Sequence, residues 1–374
     1  MIEYRFGRRE LLKVGAAALA ASALPGRLLA AQADNARLDA LIARATLING
    51  NMLPGFDENP ADPRFVRQVR STGLSAVKYS LAGAAPGFGD AVDHIGFMDN
   101  VLAEHRGVYL PVRTIADIGR ARVSGRVGVI YAFEAASMFE GNIERIPYFH
   151  DLGVRSMQLS YNGTSPWASG VMVEDETAWI SELGRRAVTT MNAVGVTIDV
   201  SHSNDRSTMD IIEESSRPVM ISHAGCGGVY EHPRNRSDAA LRAVADQGGV
   251  TGLYELSYIT PGMEQQTLAD YMRHLVHALN ICGEDHVGIG SDALMLEFDT
   301  SPEGMEPWNA SIIARREAGV AAPGEGPPPF VTGLNGPHRM RTIASELLAR
   351  GYSETAVEKV LGSNFLRVFG ETWV

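Results

Sequence analysis

The sequence predicts an α/β protein built as one (β/α)8 barrel of the TIM type, with its chemistry on the C-terminal rim of the strands. Three observations carry that expectation. Eight apolar, β-branched runs recur along the chain, separated by amphipathic helical stretches. The runs are continuously hydrophobic rather than alternating, as parallel strands covered on both faces should be. Several of them stop on a carboxylate or an imidazole, at the strand ends where barrels of this kind place catalytic groups. A doubly wound open sheet is the alternative reading of the same alternation.

The N-terminus is set aside before the strands are counted. Residues 1–33 hold the pair Arg8-Arg9, then a short Ala/Gly-rich apolar stretch, then the small-residue site Ala31-Gln32-Ala33. This pattern predicts a twin-arginine export signal, cleaved near Asp34, and a periplasmic or secreted protein. A retained membrane helix is the weaker alternative, because the apolar stretch is short. Residues 34–374 then form the single barrel domain. Residues 1–33 carry five Lys/Arg and two Asp/Glu, so cleavage takes the net charge from −11 to −14. An acidic chain argues against nucleic acid and anionic membrane as partners. Cys226 and Cys282 are its only cysteines, enough for one disulfide and too few for a disulfide framework or a zinc ribbon.

The expected strands are "ATLINGN" (45–51), "LSAVKYS" (74–80), "RVGVIYAFE" (126–134), "VRSMQLSYN" (154–162), "VTIDVSH" (196–202), "PVMISH" (218–223), "GVTGLYE" (249–255) and "HVGIGSD" (286–292). Their ends supply Asn49 and Asn51, Ser80, Glu134, Tyr161 and Asn162, His202, His223, Glu255 and Asp292. One histidine at a strand end is ordinarily structural. Two on adjacent strands, with a carboxylate two strands earlier, converge on one rim as Zn²⁺ or a similar divalent ion requires. After strand six, "HPRN" places Arg234 beside that set, either as a bidentate anchor for a substrate carboxylate or as a loop charge in solvent. Residues 318–340, rich in Pro and Gly, read as a long loop or lid. The last segment reads as two helices, one ended by Gly351 and the next capped by Ser353.

"FEAAS" around Glu134, "LGVRSMQLSYNGTSPWASG" (152–170), "IDVSHSNDRS" (198–207), "PVMISHAG" (218–225), "HPRNRSD" (232–238), "DHVGIGSD" (285–292) and the C-terminal 346–369 together resemble the membrane (renal) dipeptidase family of zinc metallopeptidases. The resemblance implies a (β/α)8 barrel, a two-zinc centre and cleavage of dipeptides, some members also opening β-lactam rings. Members are often dimers, so it also implies a homodimer. Glu134 matches the family's bridging carboxylate, His202 and His223 the imidazoles of the second metal, Arg234 the substrate-carboxylate arginine, and Asp292 the acid of strand eight. The chain departs from the family at its first strand. Where members have a His-x-Asp metal pair, "INGNMLP" puts Asn51 and Leu53, and Leu cannot ligate. Strand four ends in "SYN", so Tyr161 replaces a histidine that steadies the intermediate, and "SDALM" replaces the usual continuation of strand eight.

The expected activity is therefore dipeptide hydrolysis at one zinc ion, rather than two, held by Glu134, His202 and His223. In it Asp292 shuttles the proton, Tyr161 donates to the oxyanion and Arg234 holds the substrate carboxylate. Two alternatives stand beside it: a mononuclear amidohydrolase for another carboxylate-bearing amide or lactone, and an inactive binding protein on the same scaffold.

Overall fold

The structure, a computed structural model, describes residues 32, 34–56, 58–174, 179–262 and 264–373. Apart from Gln32, the expected export signal lies outside the described residues. The chain divides into two units, Met1–Arg44 and Ala45–Val374. The first contains a helix over 34–44; the second contains the barrel.

Eight parallel strands form that barrel: β1 Ile48–Asn49, β2 Ala76–Leu81, β3 Val127–Phe133, β4 Val154–Met157, β5 Thr197–Ile198, β6 Met220–Cys226, β7 Val250–Leu253 and β8 Val287–Ile289. Hydrogen bonding runs β5-β4-β3-β2-β1-β8-β7-β6, with registers such as Ala76↔Gly128 and Thr251↔Val287. A parallel bridge between Asp199 and Met220, where Val200 N–H donates to Met220 O at 2.8 Å, joins β5 to β6 and closes the ring. Each expected run thus overlaps one barrel strand. The sequence reading missed Tyr109–Pro111, a short strand that pairs beside the start of β3 and stops at a proline.

Six of the strands stop short of the C-terminal ends of their runs, while β2 and β6 run on to Leu81 and Cys226; at β5 the early stop has a local cause. Past Val200 the chain leaves the ladder, and the Ser201 N–H donates to the Asp199 carboxylate at 3.0 Å instead of to a strand. That turn lifts His202 onto the rim. Asn204 then caps the helix Asp205–Glu214 by accepting from Ser207 N–H, which fixes where the turn ends.

The opposite end of the barrel is filled by Phe365, from the C-terminal helix Asn364–Thr372. Its ring packs with Ile48, Ala76, Ile130, Met220 and Val250 in one buried cluster. Gly50, Gly252 and Gly288 face it, and a Cβ on any of them would press on that ring. The preceding helices match the expected pair: Arg339–Ala349 ends before Gly351, at φ +89°, and Ser353 accepts from Ala356 N–H. Cys226 and Cys282 are both buried thiols and form no disulfide. Among the described residues no helix is long and apolar enough to cross a membrane.

Candidate metal centre

Glu134, His202 and His223 come together as the strand ends predict. Their ligand atoms all lie within 4.8 Å of one another. His202 Nε2 is 3.1 Å from His223 Nε2, and the Glu134 carboxylate lies 3.8 Å from the first and 3.9 Å from the second.

The outer nitrogens of the two rings decide which protons they carry. His223 Nδ1 lies 2.8 Å from Ser222 Oγ, and that hydroxyl donates to Asp199 Oδ2 at 2.6 Å, so Nδ1–H must be the donor to it. His202 Nδ1 lies 2.9 Å from Asn162 Oδ1, again a donor to an acceptor, because Asn162 Nδ2 donates elsewhere, to Val320 O. Both Nε2 atoms are therefore left as lone pairs, facing each other across 3.1 Å. Burial, and then the nearby Arg234 guanidinium, hold both imidazoles well below their ordinary pKa, so neither lone pair takes a proton. Two opposed lone pairs beside a carboxylate call for a cation, and the donor set of two imidazoles and one carboxylate fits a divalent ion such as zinc. Arg234 Nη2 approaches His202 Nε2 at 3.2 Å.

The other expected residues surround this point. Arg234 is buried, not a loop charge in solvent, and its Nη1 donates to Ser201 O at 2.7 Å. Asp292 follows β8 with φ +51°, a conformation rare outside glycine. Burial first, and then the charge of Glu134, push its carboxyl up to about 7. Tyr161 stacks on His202, with centroids 4.2 Å apart and planes at 21°. Asn51 turns its amide nitrogen between Glu134 Oε1 and Asp292 Oδ1, 2.9 Å from each. Leu53 stands half in solvent on the wall of the cavity. Glu255 does not reach this group: it is buried against Arg339 and accepts from Val331 N–H, tying the loop after the barrel to β7.

A cavity of about 410 Å³ opens above the triad, lined among others by Tyr161, Arg234, Asp292, Leu294, Phe298 and Trp308. Sequence reasoning named Ser80 as a strand end and missed three residues here, Lys78, Arg315 and Glu325. Lys78 and Ser80 point inward from β2, and Lys78 Nζ donates to Asn51 Oδ1 at 3.0 Å; a lone lysine inside an apolar strand was the available signal. Arg315 comes from the helix Pro302–Glu317 and pairs with Glu325 of the Pro/Gly-rich loop, which does form a wall of the cavity. No spacing in the sequence links those two residues to the rim.

Known proteins bear on this geometry. A metallo-peptidase from Rhodobacter sphaeroides, solved with a phosphinate mimic of the dipeptide L-Ala-D-Ala, shares the fold at TM-score 0.70 and 18% identity, over 88% of this chain and 99% of that one. An amidohydrolase from Pseudomonas aeruginosa superposes at TM-score 0.76 with 28% identity, covering 90% of this chain and 99% of that one. The dipeptidase tcpJ of Claviceps purpurea is 26% identical over 295 residues, 76% of this chain and 62% of that protein. The sequence model of the membrane dipeptidases, peptidase family M19, matches residues 66–311 and 313–373. The chain belongs to the membrane dipeptidase family.

Proposed function

We infer that this protein is a dipeptidase working with a single zinc ion held by Glu134, His202 and His223. The observation that carries the reading is the pair of Nε2 lone pairs locked face to face, each fixed by an acceptor on its Nδ1. An ion bound there supplies Lewis acidity and a water acidic enough to ionise near neutral pH.

The protein groups supply the rest. Arg234, buried beside His202, holds the free carboxylate of the substrate and so fixes which carbonyl reaches the triad. Asp292, on the rim 2.9 Å from the Asn51 amide, takes a proton from the attacking water and returns it to the leaving nitrogen. Tyr161 keeps its hydroxyl proton, since burial raises its pKa, and donates it as a hydrogen bond to the carbonyl oxygen as charge develops there. The Pro/Gly-rich loop forms one side of the cavity through Glu325, Gly326, Pro327 and Pro329.

One observation favours a related substrate. Asp292 Oδ1 already accepts from Asn51, and the cavity wall also carries the apolar side chains of Leu294, Phe298 and Trp308. A substrate lacking a free ammonium, such as an N-acyl amino acid, suits that surface as well as a dipeptide does. Residues 1–33 support export through the twin-arginine route, and the family supports a homodimer; both belong to this proposal.

The deciding experiment loads the protein with zinc and compares hydrolysis of dipeptides with N-acetyl amino acids, alongside His202→Ala. Zinc-dependent release of the C-terminal amino acid, lost in the variant, is the expected result. Zinc binding with no hydrolysis of either substrate would leave a binding protein in its place.

A further inference from the structure

Beneath the triad lies a charge that this mechanism does not use. Lys78 projects inward from β2 and is wholly buried. Its ammonium donates to Asn51 Oδ1 at 3.0 Å and to Ser80 Oγ at 3.1 Å, and stands 3.6 Å from Asp199 Oδ2 and 3.9 Å from Glu134 Oε1. An ammonium out of water is costly unless several acceptors hold it, and this one touches anions on both sides of the centre. Asp199 is the carboxylate that fixes His223 through Ser222. Asn51 relays the same polarity outward: its carbonyl takes the lysine, and its amide nitrogen reaches Glu134 and Asp292. Glu134 Oε1 also lies 2.8 Å from Ser80 Oγ, so both of its lone pairs are occupied from this side.

A family two-zinc centre does not fit these residues. Asn51 and Leu53 remove two ligands, and the remaining approach to Glu134 Oε1 is filled by donors. Resting on the triad as a metal site, we propose that Lys78 is a built-in cation standing in for the second ion, with Asn51 passing its charge to Glu134 and Asp292. The charge balance agrees. Glu134, Asp199 and Asp292 against Lys78 and Arg234 leave one net negative charge when Asp292 is ionised. One divalent ion takes that balance from one net negative to one net positive charge. A second would leave a large uncompensated positive charge in a buried site. Lys78 is thus a positioning residue: it touches no substrate, and it sets both the ion capacity of the centre and the orientation of Asn51.

The test counts metal on the full chain. Protein stripped with chelator and reloaded with excess Co²⁺ is analysed for metal per chain and for its visible d–d spectrum, for wild type, Lys78→Gln and Lys78→Arg. Wild type and Lys78→Arg are expected to hold one ion. Lys78→Gln, freed of the repelling ammonium, should bind cobalt at least about tenfold more tightly or take up a second ion. Two ions on wild type, or unchanged affinity and count in Lys78→Gln, overturns the proposal. No ion on folded wild type would remove the triad reading beneath it. Should Lys78→Gln fail to fold, the wild-type count decides alone.

Discussion

Arg315 Nη2 donates to the Tyr161 hydroxyl at 3.0 Å, while the Tyr161 ring lies stacked on His202. The guanidinium takes a lone pair of that oxygen and leaves its proton free to point into the cavity. A cation behind a hydroxyl makes it a stronger donor, which restores part of what a charged histidine at this position would supply. Tyr161→Phe should lower kcat by about 10²–10³ and leave metal content unchanged. Arg315→Met should lower it less. Steady-state kinetics at matched metal occupancy checks both.

Asn162 and Ser222 set the protonation of the two imidazoles without touching the ion. Removing the acceptor on His202 Nδ1 lets that ring rotate and protonate on the wrong nitrogen. Asn162→Ala is expected to weaken zinc binding by about 10- to 100-fold, read by competition with a chelating indicator. His202→Ala and His223→Ala should abolish binding at the same zinc concentration.

Arg234 gives a prediction about substrates. If it holds a carboxylate, Arg234→Met should raise KM on free dipeptides far more than on the same dipeptides amidated at their C-terminus. Arg234→Lys should recover little, because a lysine cannot span Ser201 O and a planar carboxylate with one fork.

A pH effect lies away from the centre, at His274. The residue is fully buried, its Nδ1 accepts from Cys226 N–H at 2.9 Å, and its Nε2–H donates to Ile259 O. Burial pushes its pKa down to about 4 from 6.5. Between those values the unfolded chain binds a proton that the folded chain refuses, so stability falls as pH falls through that window. The full loss is about 3 kcal/mol. Urea unfolding at pH 7 and pH 4.5 should show most of it in wild type and much less of it in His274→Gln.

Much of the barrel could be read from the sequence because each strand is buried on both faces, which leaves an unbroken apolar run with a visible stop. Glu134, His202 and His223 were legible for the same reason: a charged or imidazole group after such a run has few structural uses. Lys78 was harder, since a single lysine in "LSAVKYS" gives no hint of the acceptors that three other strands bring to it. The Arg315–Tyr161 bond joins residues 154 positions apart, one on a helix and one past the end of a strand, and no periodicity spans that distance. Asn162 carried a signal, as a polar strand end, but its bond to His202 depends on a turn that only the fold reveals.

Phe365 supports a last prediction. Phe365→Ala would empty the space that three glycines keep open for the ring, and a loss of about 3–5 kcal/mol is expected by calorimetry or denaturant titration. Glycine cannot collapse into the void, so recovery by neighbouring side chains should be small.

The ring that completes this interior comes from the final helix, nearly at the end of the chain. Every residue of the metal triad lies far upstream of that helix in the chain, so deleting residues 363–374 would leave the rim chemistry written in full and remove the stopper beneath it.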